Sequence, residues 1–206
     1  MNSFVDNVNF TFMLITGISV ILLIGITFMM IYFVVKYNRK KSPKAVNIHG
    51  NTALEVTWTV IPLILSMGMF YYGWIGYDEL SNPPKDAMVV KAIGKMWKWE
   101  FEYAGGIKSD TLFAPQSKAV RINITSVDVN HSLYIPALRF KRDAIPNRVN
   151  FLWFSADKLG TYDIACAQYC GVSHSKMYTA LVVMPEKDFN TWLENQKAKN
   201  APAAAK

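Results

Sequence analysis

Cys166-Ala-Gln168-Tyr-Cys170-Gly171-Val-Ser-His174-Ser-Lys-Met177 runs without a break into Tyr178-Thr-Ala-Leu-Val-Val-Met184. The first part is a loop crowded with sulfur and imidazole. The second is an apolar, β-branched run of strand character. Both cysteines of the chain, one of its three histidines and a methionine fall within those first twelve residues. A second histidine lies upstream in Asp128-Val-Asn-His131-Ser132. Two thiolates, two imidazoles and a thioether are soft-to-borderline donors, the set copper prefers. One thiolate is enough for a mononuclear copper site. A second thiolate four residues along the same loop can bridge two coppers, each taking one imidazole and one weak axial donor. Two other readings remain open on the cysteines alone. A Cys-x-x-x-Cys pair outside the cytoplasm can close a small disulfide loop. Zinc also accepts Cys and His. Zinc gains nothing from a methionine, and Gly171, His174, Met177 and the distant His131-Ser132 favour copper.

Outward from that loop the text is strand-like. Val120, Ile122 and Ile124 alternate with Arg121, Asn123 and Thr125. Val149, Phe151 and Trp153 alternate likewise. Turn signals stand between these runs: Asn82-Pro83-Pro84, Gly105-Gly106, Ile145-Pro146-Asn147 and Gly160. Short strands with regular turns predict a β-sandwich over 81–196. The cysteine loop precedes its last strand and His131 stands at the end of an earlier one, so both fall at one pole. Pro185 opens a short helix with Phe189, Trp192 and Leu193 on one face. Residues 197–206, rich in Ala and Lys, are expected to form a flexible tail.

The N-terminal part differs. Phe10 to Val35 is a 26-residue run without a charge, and Val56 to Ile75 adds 20 more. Each is long enough to cross ~30 Å of hydrocarbon at ~1.5 Å per residue. The spacing predicts a transmembrane hairpin over 1–80, with helices over about 10–36 and 55–77. Trp58, Tyr71, Tyr72 and Trp74 near the ends of the second run suit the membrane interface. The connection carries Lys36, Arg39, Lys40, Lys41 and Lys44, whereas residues 1–35 have neither Lys nor Arg. By the positive-inside rule the connection is cytoplasmic, and both termini and the sandwich are on the outer face. The first run lacks a basic leader region and a small-residue exit site, so it does not read as a cleaved signal peptide.

The formal net charge is +7. From Asp78 onward 17 Lys and Arg oppose 13 Asp and Glu, so the external part is itself basic. The five cations of the connection point to topology and anionic membrane lipid, and no nucleic-acid module is present.

In this order the motifs resemble subunit II of the haem–copper cytochrome c oxidases over nearly the whole chain. They are His49-Gly-Asn51-x-x-x-Glu55-x-x-Trp58-Thr59-x-x-Pro62; Gly94-x-x-Trp97-x-Trp99-x-Phe101-Glu102-Tyr103; Asp128-x-x-His131-Ser132; Lys141-x-Asp143-Ala144-Ile145-Pro146-x-Arg148-x-Asn150; and the cysteine loop. The resemblance implies a two-helix membrane hairpin followed by an all-β cupredoxin-like Greek-key sandwich. It implies a dinuclear copper centre bridged by Cys166 and Cys170, with His131 and Met177 on one copper and His174 and the backbone carbonyl of Gln168 on the other. It implies electron entry at Trp97 from a c-type cytochrome docked near Glu102 and Asp128. Electrons would pass to haem in subunit I, where oxygen is reduced to water with proton translocation. Glu55 would sit at the mouth of a proton channel in that partner, although an acid in the first turn of a helix also suits the helix dipole. His49 reads as structural. The implied setting is a bacterial inner membrane, with other oxidase subunits and possible supercomplex partners.

The chain departs from the family at three places. Gln168 stands where the family has Glu, and a neutral amide is a poor ligand for a hard cation, so magnesium at the subunit I boundary is doubtful. Lys98 replaces an aromatic beside Trp97. The segment from Lys108 to Lys118 holds one acid, Asp110. Alternatives from other classes are a copper-bearing nitric oxide reductase subunit and a copper chaperone or storage protein.

Overall fold

The computed structural model describes residues 3–44, 47 and 49–200 of the chain. Two long helices come first, α1 over Ser3–Lys36 and α2 over Thr52–Ser81. Both are longer than the uncharged runs that announced them. Helix α1 starts seven residues earlier than the predicted 10, with Asp6 in its first turn, where a carboxylate suits the helix N-terminus. Helix α2 is opened by Asn51, whose side-chain oxygen accepts the Leu54 N–H at 3.1 Å. It runs on through Asp78 and Glu79 and stops at Asn82-Pro83-Pro84, where proline forbids another turn. Ser19, Thr57 and Thr59 each donate a hydroxyl to the carbonyl four residues back, so their polar groups are satisfied within the helix. Phe10 and Tyr72 meet edge to face at 5.5 Å and bring the two helices together. No described side chain of α2 is buried, and apolar groups project all round both helices. A helix apolar on every face needs an apolar solvent. By length and composition both can cross a membrane.

The chain divides into two units, residues 7–77 and residues 78–206 with the first six. The boundary falls within α2, slightly before the predicted 80.

The second unit is a sandwich of two five-stranded sheets. Its strands are β1 (Met88–Lys95), β2 (Lys98–Tyr103), β3 (Ile107–Ser109), β4 (Leu112–Pro115), β5 (Ala119–Ser126), β6 (His131–Ile135), β7 (Phe140–Ala144), β8 (Asn150–Ser155), β9 (Gly160–Cys166) and β10 (Tyr178–Met184). One sheet has the order β3-β2-β1-β5-β8 and the other β4-β10-β9-β6-β7. The chain changes sheet repeatedly, and two pairs, β1 with β5 and β4 with β10, run parallel. Side chains alternate in and out as the pleat requires. Val120, Ile122 and Ile124 are fully buried on β5, and Leu181 and Val183 on β10. Val90, Ala92, Phe101, Leu133, Ile135 and Ile164 join them in the core.

On β8 the inward set is not the one the alternation named. Leu152 and Phe154 are buried, while Phe151 and Trp153 face outward. The outward pair has its own partners. The Arg121 guanidinium lies 4.5 Å from the Phe151 ring centre, and Trp153 Nε1–H donates to the Glu79 carbonyl at 3.0 Å. Both faces of β8 carry large apolar groups, so periodicity could not choose between them.

The last element, α3, spans Glu186–Asn200. Trp192 stacks on Phe113 at 4.6 Å and meets Tyr103 edge-on at 5.0 Å, closing the end of the sandwich. The expected tail from Lys197 is therefore helical as far as Asn200, and 201–206 lie outside the described residues.

Candidate metal centre

Three connections build one pole of the sandwich: the β1–β2 turn, the β5–β6 turn and the long β9–β10 loop. The neck of that loop is closed by the Cys166 N–H donating to the Met177 carbonyl at 3.1 Å. The Ala167 N–H donates to the Ser132 carbonyl at 2.9 Å, which ties the loop to β6. Ser132 is fully buried, and its hydroxyl donates to Asp143 at 2.8 Å. The His131-Ser132 motif thus places a buried imidazole and the anchor beside it. His131 is the first residue of β6.

The predicted donors converge. Cys166 and Cys170 are free thiols with their sulfurs 3.8 Å apart. His131 Nδ1 is 3.9 Å from Cys166 Sγ, and His174 Nδ1 is 3.5 Å from Cys170 Sγ. Met177 Sδ lies 3.8 Å from Cys170 Sγ. The Gln168 backbone carbonyl is 3.2 Å from Cys166 Sγ, while its side chain is exposed. His131 and Met177 are fully buried and both cysteines nearly so. His131, Cys166 and Cys170 present ligand atoms all within 4.8 Å of one another. Burial first, and then the neighbouring Cys166, push the Cys170 thiol up to about 11. A cation that replaces the two thiol protons relieves both penalties. The donors present fit copper: two sulfurs are placed to be shared, with an imidazole on either side and a thioether at the edge.

Asp128, expected to help dock the donor, is half-buried and hydrogen-bonded within this pole. Its carboxylate turns inward. One oxygen meets His131 Nε2 at 2.8 Å and accepts the Val129 N–H at 2.6 Å. The other accepts the Met96 N–H at 2.6 Å. Against the opposing cost of its own partial burial, the His131 hydrogen bond and the two backbone N–H groups hold its carboxyl down at about 2. A ligand histidine whose second nitrogen is fixed by a carboxylate keeps one ring orientation. Asp128 therefore positions His131. Glu102 is engaged as well, 3.0 Å from Lys91 Nζ across β1 and β2.

Trp97 lies in the β1–β2 turn with 36% of its surface exposed. Its indole N–H donates to the carbonyl of Cys170 at 3.1 Å. Under the ring lies Gly171, with φ at +116°; a Cβ there would stand 3.2 Å from Trp97 Cζ2. Trp97 thus joins the surface to Cys170 by one hydrogen bond, which sequence pattern alone does not show. Gly94, within β1, is a second glycine at this pole. A Cβ at Gly94 would come within 2.9 Å of His131 Cδ2, so β1 passes close over the imidazole only because this residue is glycine. Glycine inside a strand was the available signal. Trp99 meets the same ring edge-on at 6.0 Å.

Glu55 is in the first turn of α2, remote in sequence from this pole, and its carboxylate folds back to within 3.1 Å of where a Gly50 Cβ would stand.

Comparison with known proteins gives a consistent picture. The family model described as cytochrome c oxidase subunit II, transmembrane domain matches residues 1–72, and that described as cytochrome c oxidase subunit II, periplasmic domain matches residues 107–184. The chain is 32% identical to cytochrome c oxidase subunit 2 of Alkalihalophilus pseudofirmus, over 90% of its own length and 58% of the relative's. It is 28% identical to the alternative cytochrome c oxidase subunit 2 of Bradyrhizobium diazoefficiens, over 93% of its own length and 79% of the relative's. The periplasmic domain of subunit II of the Bradyrhizobium japonicum cytochrome oxidase superposes with a TM-score of 0.56 at 33% identity, covering 58% of this chain and all of that one. A second structure, a mixed-disulfide intermediate between a thioredoxin-like protein and subunit II of cytochrome c oxidase, matches with a TM-score of 0.52 at 32% identity. It covers 58% of this chain and 97% of that one.

Proposed function

The chain belongs to the cytochrome c oxidase subunit II family, and on that footing we propose that it is the electron-receiving subunit of a respiratory haem–copper oxidase. It is a membrane protein with an outer-face β domain. The family carries copper, and the His131, Cys166 and Cys170 cluster is in place to hold it. The observation that supports a dinuclear site is the pairing of two buried thiols 3.8 Å apart with one imidazole nitrogen beside each. One copper would take His131 and Met177; the other would take His174 and the Gln168 carbonyl.

When bound, copper held by Cys166 and Cys170 would supply a centre that takes up and gives back one electron at a time. The chain's own residues do the rest. The sandwich holds the ligands on rigid strand ends, so little reorganisation is needed. Asp128 keeps the His131 ring turned with Nδ1 towards the sulfurs. Buried Met177 and the core beneath it keep water from the sulfurs. Trp97 offers the donor an exposed aromatic edge hydrogen-bonded to Cys170. Electrons would come singly from a c-type cytochrome and leave for a haem in subunit I, where oxygen becomes water and protons are moved. Glu55, exposed in the first turn of α2, would lie at the cytoplasmic mouth of the partner's proton channel, with both termini outside, in a bacterial inner membrane. Gln168 offers no carboxylate, which disfavours magnesium at that boundary.

A dithiol this close is also a disulfide in waiting. A thioredoxin-like reductant that keeps Cys166 and Cys170 reduced before copper arrives fits the same pair, as the mixed disulfide of the relative would lead one to expect. The nitric oxide reductase and copper-storage alternatives are not favoured, since the relatives reported above are oxidase subunits.

Electron paramagnetic resonance and metal analysis of the oxidised, copper-loaded chain test the proposal. Two coppers per chain sharing one unpaired electron are expected. One copper per chain, or a Cys166–Cys170 disulfide in the active complex, would sink it.

A further inference from the structure

The motif Lys141-x-Asp143-Ala144-Ile145-Pro146-x-Arg148-x-Asn150 supplies none of the soft donors, yet the fold places it at the root of the β9–β10 loop. Ser132 is the link. Strand β6 pairs with β9 at only two positions, Leu133 with Cys166 and Tyr134 with Ala165. One step on, the Ser132 carbonyl accepts the Ala167 N–H at 2.9 Å, between Cys166 and Gln168. On its other side Ser132 stands opposite Asp143 of β7, and its fully buried hydroxyl donates to that carboxylate at 2.8 Å. Asp143 is itself held from the opposite sheet, where Asn150 Nδ2–H of β8 donates to its carbonyl at 2.6 Å. Lys141 Nζ meets the same carboxylate oxygen at 3.1 Å. The Ser132 hydroxyl first, and then Lys141, hold the Asp143 carboxyl below the usual carboxylate range, so it stays an acceptor.

We propose that Asp143 is a positioning residue for the metal loop, acting through Ser132 on the Cys166–Gln168 segment. This rests on the metal-centre reading above and adds a second support to it, separate from the one Asp128 gives the His131 ring. As an ion pair with Lys141 alone, both side chains 49% exposed, Asp143 would contribute little. What sets it apart is the buried hydroxyl it accepts. A buried donor left without an acceptor is costly, so Ser132 keeps the rotamer and the backbone place that reach Asp143. The same backbone presents its carbonyl to the Ala167 N–H. Cys166 Sγ and the Gln168 carbonyl, 3.2 Å apart, flank Ala167 and are aimed by that one fixed peptide.

The test uses the full chain in detergent. Chelator competition gives the copper affinity, and electron paramagnetic resonance gives the copper hyperfine pattern. Amide exchange at Ala167 is followed in the metal-free chain. Asp143→Ala should weaken copper binding on the order of tenfold, change the hyperfine pattern and speed Ala167 exchange. Asp143→Asn keeps an acceptor oxygen for the Ser132 hydroxyl and should return all three to near the unaltered values. Ser132→Ala should match Asp143→Ala, and the two together should cost no more than either alone, since they break one link. Lys141→Ala should change nothing. Asp143→Ala with unchanged copper affinity and Ala167 exchange would overturn the proposal. So would an Asp143→Asn chain no better than the alanine, or losses that simply add. Should Asp143→Ala not fold, an impaired Ser132→Ala beside a near-normal Asp143→Asn supports the same link, and the reverse overturns it. An unaltered chain that takes up no copper fails as a metal protein, and Ala167 exchange still reads the link.

Discussion

Trp97 and Cys170 are joined by a hydrogen bond from the indole N–H to the cysteine's carbonyl oxygen, 3.1 Å long. The residue that meets the solvent is thereby one hydrogen bond removed from one of the two buried cysteines. Gly171 makes this possible, since its open α-carbon lets the ring lie flat on the loop.

Trp97→Phe keeps an aromatic ring over Gly171 and removes the donor. Stability should fall by only ~1 kcal/mol, the usual net worth of one hydrogen bond. Electron entry should slow on the order of tenfold or more, while the copper spectrum is kept. Stopped-flow reduction by a c-type cytochrome measures it, and an unchanged rate returns Trp97 to a structural role.

Asp128→Asn replaces a carboxylate that serves His131 on one oxygen and the Met96 N–H on the other. The amide has one acceptor oxygen, so one of those donors then faces an NH2 group. Copper affinity should drop by roughly 10–100-fold, as is usual when the partner of a ligand histidine is lost. Glu102→Gln, which removes only a surface pair with Lys91, should leave copper affinity alone. Chelator competition compares the two. Equal behaviour would mean that Asp128 does not act through His131.

Gly94→Ala and Gly171→Ala add the same methyl group and should fail differently. At Gly94 the Cβ arrives 2.9 Å from the His131 ring, so the imidazole must turn or β1 must move. A loss of about 1–3 kcal/mol and weaker copper binding are expected, the cost of overpacking. At Gly171 the backbone itself, at φ +116°, disfavours a side chain, and the added carbon presses on Trp97. That change should alter Trp97 fluorescence as well as lowering the melting temperature. Matching fluorescence in the two variants would contradict the separate contacts.

Met177→Leu should keep both coppers and change the potential, because a weak axial thioether tunes a thiolate site more than it secures it. Cys170→Ser should lose the shared-electron spectrum, since the bridge is gone. Copper counts and redox titration of the two variants distinguish tuning from bridging; identical losses would mean the roles are misassigned.

Much of this molecule is written locally. The uncharged runs ending at Val35 and Ile75 fix two membrane-length helices, because length and polarity alone decide whether a segment can leave water. The alternation at Val120, Ile122 and Ile124 fixes a strand and its inner face. The soft donors at 166, 170, 174 and 177 fix the metal's class, because ligand preference depends on atom type and spacing within one loop. The β8 face was not legible, since apolar side chains stand on both sides of that strand and only the opposing sheet selects one.

Composition and local pattern suffice for the hairpin, the sandwich and the gathering of soft donors in one loop. Which side chains meet across the sandwich depends on packing. The parallel pairing of β1 with β5, Gly94 against His131, Asp128 on the Met96 N–H and Trp97 on the Cys170 carbonyl all join segments distant in the chain. The physical reason is that such contacts depend on how two twisted sheets pack. A single residue's chemistry permits many partners, and only close packing in three dimensions selects one.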